Sequence, residues 1–453
     1  MSSHTVNLKA FALSACPPFR RYWEHVEASP QLQSLLREGI WVAFGQVASA
    51  IGVLVGIRLL TEYVSPEVFG KVSLLIGIVS LGSSIFCLPL LQAALRFYPE
   101  LATRMELPVL RRTIRGSLRW SIGFLIGIIL LGGAAYSILQ GISYSIFPLL
   151  AGLLAIETKR GLETNFLTAA RRQRPFSIWV AAEAWVRPAS AILAVIMLGA
   201  SPQSVLLGYL AGTAGVLLIF LIVLKREGLT DASQIQRPNS GFSKEIWHYT
   251  RSLIPLGIVG WISSLSDRYI IGGMLGLEQV GIYAAAYGII NRGFSISGGI
   301  IELTLRPAYF QAVSSGDKVL ELKTFRTWLG LTAVMCMGGV LAVYFLRNCI
   351  ASLLLAETYR SSAALMPWIA AGMSLLIMAY VFEKPCYAYK QTKWVLLIQG
   401  TGALTSIGIG LVLVFLYGLW GAAIAVPIYY GFQFLVSCYA AQKVIAQKSK
   451  IND

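Results

Sequence analysis

Long apolar stretches alternate with short polar segments along almost the whole chain. A helix of about 20 mostly apolar residues spans the roughly 30 Å hydrocarbon core of a bilayer. Twelve stretches meet or nearly meet that length, and they predict membrane-spanning helices at 40–60, 72–95, 117–139, 142–157, 176–198, 203–224, 252–272, 280–304, 326–346, 361–382, 394–416 and 418–440. The pattern therefore predicts an all-α integral membrane protein.

Lysine and arginine are concentrated in every second gap between these stretches. Of the 37 basic residues, 30 lie in the two termini and in alternate gaps. The positive-inside rule assigns those segments to the cytoplasm, so we expect both termini to be cytoplasmic. The net charge of +16 then belongs to loops held beside anionic lipid, and no nucleic-acid partner is expected.

The gaps are too short for a separate enzymatic domain. The longest predicted non-cytoplasmic gap covers about 346–360, and no phosphate-binding glycine motif of an ATPase occurs in the sequence. The six cysteines and three histidines are scattered without metal-ligand spacing, so no metal or cofactor is expected. These features favour a transporter that is not an enzyme.

An internal repeat indicates how the helices are organised. The segment from Arg58 to Gly70 and the segment from Arg268 to Gly281 each join the first and second predicted helix of one half, and each ends in Glu-x-x-Gly. Six helices per half make the repeats parallel, which predicts two lobes related by a pseudo-two-fold axis along the membrane normal. The predicted parts are an N-terminal tail, a lobe, a cytoplasmic linker, a second lobe and a C-terminal tail, at 1–39, 40–224, 225–251, 252–440 and 441–453.

Charges within the spans identify candidate binding residues, because each costs about 2.5 to 3.5 kcal/mol on insertion scales. Arginines outnumber the comparably placed acids: the arginines are Arg58, Arg187, Arg268 and Arg292, and the acids are Glu183 and Asp267. Guanidinium groups bind phosphate oxygens bidentately. We therefore predict that the four arginines hold an anionic cargo in a cationic cavity.

The two acids have alternative interpretations. Glu183 and Arg187 are four residues apart on one helix, which favours a structural ion pair, although Glu183 could instead titrate or bind Na⁺ and control Arg187. Asp267 precedes Arg268 directly and need not pair with it, since adjacent helical residues point about 100° apart.

Two more arginines lie where a cargo would first arrive. Arg96 and Arg306 are near the predicted cytoplasmic ends of their helices, at headgroup level. They either meet the incoming anionic cargo or extend to ordinary lipid phosphates, as long basic side chains do at interfaces. Aromatic residues such as Tyr287 and Tyr380 either stack on part of the cargo or belong to the interfacial aromatic belt.

Three stretches resemble a known family. They are Arg58 to Leu74, Ser266 to Ala284, and Tyr417-Gly418-Leu419-Trp420-Gly421-Ala422-Ala423-Ile424-Ala425. In these stretches the chain is similar to the polysaccharide flippases of the Wzx kind, within the exporter superfamily that also contains the MATE drug antiporters. Such proteins move undecaprenyl-pyrophosphate-linked oligosaccharides from the cytoplasmic to the periplasmic leaflet. The resemblance implies that function, in the synthesis of surface polysaccharides such as O-antigen, at a bacterial inner membrane.

The resemblance also implies partners and coupling. The expected partners are the lipid-linked oligosaccharide, membrane lipid and the polymerase and chain-length proteins of the pathway, and the protein is expected to be monomeric. No cofactor is expected beyond Na⁺ or H⁺ as a coupling ion.

Two other functions compete with the flippase. A MATE-like drug antiporter takes cations and should carry acids in its first helix, whereas residues 40–57 contain none. A membrane polymerase or ligase would need positioned His, Asp or Glu residues near a sizeable extracytoplasmic loop, which the sequence lacks.

Overall fold

The fold is all-α in the part of the chain that the computed structural model describes, which is residues 30–103, 107–140, 144–226, 240–389 and 391–452. These residues form α1 (Pro30–Tyr63), α2 (Pro66–Gly82), α3 (Leu88–Thr103), α4 (Leu107–Gln140), α5 (Ile146–Ala169), α6 (Gln173–Leu198), α7 (Pro202–Arg226), α8 (Ser240–Met274), α9 (Leu277–Ser315), α10 (Lys318–Leu354), α11 (Met366–Ala388) and α12 (Thr392–Asn452). A π-helical turn, Ser83–Cys87, joins α2 to α3, and a 3₁₀ segment, Glu357–Ala364, precedes α11. The predicted fold class is confirmed.

The described residues of the twelve predicted spans lie mainly on these helices. Eight helical segments of the described chain are long and apolar enough to cross a membrane, with α2 and α3 counted as one rod. The last of them, α12, contains two predicted spans. The other three predicted spans lie on α5, α8 and α9, which fall outside that set and carry the charged residues considered below. The protein is therefore a multi-pass membrane protein.

Gly418 separates the two spans of α12. Its backbone has φ 59° and ψ −137°, a conformation that L side chains rarely adopt. A Cβ on Gly421 would overlap the carbonyl oxygen of Leu413, so the two arms meet closely at this turn. Glycines in the Tyr417 to Ala425 stretch thus make a tight hairpin between helices.

Several helices extend beyond the apolar spans into segments predicted as loops. Helix α5 continues to Ala169 through most of the predicted gap 158–175, and α12 continues through the predicted C-terminal tail to Asn452. Hydropathy marks only the part of a helix suited to lipid, whereas the helix itself ends where the backbone is capped or broken. Residues 1–29, most of the predicted N-terminal tail, and residues 227–239 of the predicted linker lie outside the described part of the chain.

The packing of the helices is symmetric between the two halves. Within the halves, α1 packs on α6, and α8 packs on α12. Between the halves, the α2–α3 rod packs on α8, and α9 packs on α1, so the second helix of each half contacts the first helix of the other. The central crossing is made by α2 and α9. These reciprocal contacts are the ones expected for a pseudo-two-fold axis that passes through the α2–α9 crossing.

The buried and exposed apolar residues agree with a lipid environment. Each half has its own large buried cluster, with Leu110 and Leu154 in the first and Tyr283 and Ile369 in the second. Large apolar side chains also cover the exterior, including Leu131 at 75% exposure. In water such a surface would favour aggregation, but in a bilayer it faces acyl chains.

Candidate functional site

A cavity of about 490 Å³ lies in the N-terminal half of the molecule, and the C-terminal half contributes a single lining residue, Arg292. Its walls come from α1, α2, α5, α6, α7 and α9. Three arginines and one carboxylate are among its lining residues: Arg160, Arg187, Arg292 and Glu183. We call it the first cavity. It brings together three of the residues predicted from the sequence, Arg187, Arg292 and Glu183.

Arg292 reaches the first cavity from α9 across the boundary between the halves. Its Nη2 donates a hydrogen bond to Ser49 Oγ on α1 at 2.6 Å, and its Nε is buried without a partner among the described residues. The described part of the chain provides no carboxylate within ion-pair distance of this guanidinium. The charge of Arg292 is therefore available to an anion in the cavity.

Four charged residues on α5 and α6 form an alternating row, which we call the charge ladder. Arg187 Nη1 lies 2.6 Å from Glu157 Oε1, and Arg160 Nη2 lies 2.7 Å from Glu157 Oε2. Arg160 Nη1 in turn donates to both oxygens of Glu183 at 2.9 Å. Arg187 also lies over the Tyr209 ring, 4.7 Å from its centroid. The two arginines and two glutamates of the ladder balance each other in charge. Because Glu157 is shared by both arginines, a change at one ion pair affects the other.

The predicted ion pair between Glu183 and Arg187 within one helix is replaced by pairs across two helices. Each residue has its direct ionic partner on α5, because Glu157 and Arg160 stand almost one turn apart on the facing side of that helix. Neither Glu157 nor Arg160 was predicted from the sequence as a site residue. It ended the fourth span at 157 and assigned Arg160 to a loop, whereas α5 continues as a helix past both.

A second cavity of about 430 Å³ lies within the C-terminal half. Arg268 lines it from α8. Its Nη1 donates to Ser73 Oγ on α2 at 2.9 Å, and its guanidinium lies 5.4 Å from the centroid of the Tyr287 ring. Tyr287 and Tyr380 are both lining residues. Arg268 therefore lines the second cavity and also forms a hydrogen bond between the two halves.

Asp267 is held apart from the Arg268 side chain. Its carboxylate accepts hydrogen bonds from the hydroxyl of Tyr283 at 2.5 Å and from the backbone N–H of Arg268 at 2.7 Å. The residue is only 7% exposed and is not among the lining residues of the second cavity. Its hydrogen bonds tie α8 to α9.

The remaining predicted arginines line neither cavity. Arg58 forms an ion pair with Glu62, one turn further along α1. Arg96 is exposed, 5.8 Å from the ring centroid of Phe97. Arg306 is 55% exposed and lies 3.5 Å from Glu302, a lining residue of the second cavity that is also 2.7 Å from Lys384 Nζ. Of these three arginines, Arg306 is thus next to a cavity.

The structure buries more carboxylates than the two predicted from the sequence. Besides Glu183 and Asp267, Glu163 and Glu383 are buried, at 3% and 2% exposure. Glu163 lies in the predicted gap 158–175 and Glu383 in the predicted gap 383–393, and both are on helices in the structure. The surplus of arginine over acid is consequently a property of the first cavity and not of the whole buried interior.

The comparisons with known proteins agree with this fold. The family described as polysaccharide biosynthesis protein matches residues 35–313. No curated protein matches the sequence. Among solved structures, the lipid II flippase MurJ in an inward closed conformation has a TM-score of 0.65 at 13% identity, covering 90% of this chain and 87% of the other.

Two drug transporters have similar folds. An inward-facing MATE family transporter of the MOP superfamily has a TM-score of 0.70 at 12% identity, covering 90% of this chain and 96% of the other. The Vibrio cholerae MATE transporter VcmN has a TM-score of 0.57 at 12% identity, covering 93% and 97%. At such low identity these likenesses concern the fold alone.

Proposed function

The chain belongs to the polysaccharide biosynthesis protein family, and from that premise we propose that it flips undecaprenyl-pyrophosphate-linked oligosaccharide repeat units across a bacterial inner membrane. The MOP fold supports transport by alternating exposure of a central site to the two sides. We propose that the cargo is loaded on the cytoplasmic side, where both termini lie, and released on the periplasmic side.

The observation that carries the proposal is the unpaired guanidinium of Arg292 in the first cavity. A pyrophosphate brings about two negative charges, and in a cavity it must replace its lost water with strong donors. Within the described part of the chain, the buried Nε of Arg292 has no partner and its Nη2 is bonded to the neutral hydroxyl of Ser49, so Arg292 can bind phosphate oxygens without breaking an ion pair there. A guanidinium fork suits that geometry better than an ammonium does.

The second cavity has the chemistry to receive sugars. Hydroxyl and amide groups line it beside four aromatic rings: Ser264, Asn291 and Ser295, with Tyr287, Trp328, Tyr380 and Tyr430. Sugars bind through many hydrogen bonds and through stacking of their C–H faces on aromatic rings. We propose that the pyrophosphate occupies the first cavity while the glycan extends toward the second, past Arg268.

The charge ladder supports coupling to Na⁺ or H⁺ without a further cofactor. A proton or Na⁺ on Glu183 would weaken its hold on Arg160, which leaves Arg160 to compete for Glu157. Arg187 would then be freer to bind cargo phosphate. In this proposal, binding of the coupling ion increases the number of cavity arginines that are free of an ion pair.

The alternative functions have less support. A pump for cationic drugs would place carboxylates on the cavity wall, whereas α1 contributes Gln46 and Ser49 to the first cavity, and Glu183 is the one carboxylate among its lining residues. We therefore propose a transporter and not an enzyme, working as a monomer beside the polymerase and chain-length proteins of its pathway.

The proposal is tested with purified protein in liposomes that contain a fluorescent undecaprenyl-pyrophosphate-linked oligosaccharide. The wild type should expose the inner-leaflet label to an external reagent, and Arg292→Ala should lower that rate at least about tenfold, the order expected for losing a charge-assisted contact. Arg326→Ala is the control, because Arg326 is exposed and lines neither cavity. Wild-type liposomes that move a lipophilic cation and leave the labelled lipid in place would overturn the proposal.

A further inference from the structure

A cleft of about 430 Å³ lies on the N-terminal half, separate from both cavities. Helix α5 forms its floor and packs against both α4 and α7, which supply the two walls. The charged lining residues are Arg115, Arg119, Lys159, Lys225 and Glu163, and the others are mainly apolar. We call it the basic cleft.

The positive charge in the basic cleft is largely uncompensated. Glu163 is shared by Arg111 and by Arg115, whose Nη2 lies 3.5 Å from Glu163 Oε1. Arg119, Lys159 and Lys225 are exposed, and none has an ionic partner among the described residues. Three cations from three different helices therefore surround one opening without a carboxylate to balance them.

The cations of the cleft and its deepest apolar residues are separated along the predicted membrane normal, while Leu118 and Leu162 lie at the level of the charged residues. On each of the three helices the cation lies toward the predicted cytoplasmic end, and an apolar lining residue lies about one turn deeper. The deeper residues are Ile122 on α4, Ala155 on α5 and Leu221 on α7. A ligand that fits must therefore be anionic at its outer end and apolar at its inner end.

The helices around the cleft carry exposed apolar side chains that are suited to contact lipid. Trp120, next to Arg119, is 85% exposed, and tryptophan is enriched at the level where headgroups meet acyl chains. Below it, Phe124 on α4 and Ile222 on α7 are 59% and 55% exposed. The two helices that wall the cleft thus present apolar side chains where acyl chains are expected.

We propose that the basic cleft binds an anionic phospholipid of the cytoplasmic leaflet, with its phosphate among Arg119, Lys159 and Lys225 and its acyl chains against the deeper apolar residues. Basic pockets between helices on the cytoplasmic side are suited to such headgroups. The positive-inside topology places the opening in the leaflet that contains these lipids. The assignment does not depend on the transported cargo, because the cleft and the first cavity have no lining residue in common.

Helix α5 is the wall shared by the cleft and the first cavity. Lys159 and Glu163 line the cleft, whereas the adjacent Arg160 lines the cavity and belongs to the charge ladder. A lipid bound at Lys159 would hold the helix that positions Arg160. The site therefore stabilises one wall of the first cavity.

The test measures lipid binding directly, by native mass spectrometry of the purified full-length chain titrated with cardiolipin, phosphatidylglycerol or phosphatidylcholine. We expect wild type to retain the two anionic lipids in preference to phosphatidylcholine. The triple variant Arg119→Gln, Lys159→Gln, Lys225→Gln should bind them at least about tenfold more weakly. The variant Arg119→Lys, Lys159→Arg, Lys225→Arg keeps the charges and should keep the binding.

A charge-matched control separates a site from general attraction. The variant Lys318→Gln, Lys323→Gln, Lys393→Gln removes three exposed cations from the predicted cytoplasmic side of the other half and should bind the anionic lipids as wild type does. An equal loss in both glutamine variants would overturn the proposal in favour of diffuse attraction. Displacement of the phospholipid by undecaprenyl pyrophosphate, in wild type and control alike, would overturn it in favour of a carrier site.

Discussion

Gly70 and Gly281 face each other where α2 crosses α9. A Cβ on Gly70 would overlap the carbonyl oxygen of Leu277 and lie 2.8 Å from the nitrogen of Gly281, and a Cβ on Gly281 would overlap the carbonyl oxygen of Pro66. Leu277 and Pro66 each precede their glycine by four residues, so the contact is reciprocal. The two glycines that end the sequence repeat thus allow the close backbone contact between the halves at this crossing.

This contact predicts that alanine is tolerated less well at Gly70 than at a glycine with open space around it. Gly70→Ala should lower the thermal stability of the purified protein, because overpacking costs about 1 to 3 kcal/mol and the obstructing atoms here are backbone. Gly123→Ala is the control, since a Cβ there meets no atom within 4 Å. Fluorescence-detected unfolding in detergent measures both. Equal melting temperatures for the two variants would mean that α2 and α9 can separate without cost.

A second set of contacts joins the halves at the predicted periplasmic end. The backbone N–H of Ala356 donates to Thr61 Oγ1 at 3.2 Å, and the hydroxyl of Tyr359 donates to the carbonyl oxygen of Val64 at 2.9 Å. Alternating access requires this end to open. Oxidation of a Thr61→Cys, Ala356→Cys variant should reduce transport to background, and a reductant should restore it. Full transport by the oxidised, cross-linked protein would show that this end need not open.

The topology predicts which positions a membrane-impermeant thiol reagent reaches in intact cells. Ser315 at the end of α9 and Ser361 in the 3₁₀ segment are both exposed. In a background without native cysteines, Ser361→Cys should react in intact cells, and Ser315→Cys should react only after the membrane is permeabilised. The reverse pattern at either position would break the twelve-helix topology at that hairpin.

The charge ladder predicts separate effects on coupling and binding. Glu183→Gln removes a carboxylate that holds Arg160 by two hydrogen bonds and leaves every arginine in place. It should therefore reduce the dependence of transport on Na⁺ or pH more than it reduces binding of the lipid-linked cargo. Glu278→Gln, an exposed carboxylate outside both cavities, is the control. If ion dependence in liposomes is unchanged by Glu183→Gln, the ladder is a structural pairing only.

The fold could be predicted from the sequence because each of its determinants is local. Apolar length identifies a span, and the alternation of charge orients it. The ion pair of Arg58 with Glu62 is local as well, since the two residues are four apart on one helix. This pair could therefore be inferred from the sequence alone.

The site could be predicted only in part, because its contacts depend on how helices far apart in sequence meet. Arg292 and Ser49 are 243 residues apart, and Arg268 and Ser73 are 195 apart. A mid-span arginine signals that a partner must exist but not which one. Arg160 gave no such signal, since hydropathy ends the fourth span before it, and only the continuation of α5 brings it to Glu183.

Substitutions of Arg292 and of Arg268 should impair different steps of transport. Arg292→Lys should recover only part of the activity that Arg292→Ala loses, because an ammonium cannot reproduce a bidentate contact with phosphate oxygens. Arg268→Ala also removes the bond to Ser73 between the halves. It should therefore impair a step after loading, so that cargo binding is largely retained while release slows.

A surface-polysaccharide assay, with membrane levels checked by immunoblot, and a binding assay on purified protein separate these cases. Ser73→Ala removes the same interhelical bond and keeps the Arg268 charge, which makes it the control for the structural part of the effect. If Ser73→Ala matches Arg268→Ala, the contact between α2 and α8 sets the later step. If only Arg268→Ala slows release, the guanidinium itself meets the departing pyrophosphate. Normal surface polysaccharide with Arg292→Ala would exclude the cationic-cavity mechanism, and lost polysaccharide with lost protein would make Arg292 a structural partner of Ser49.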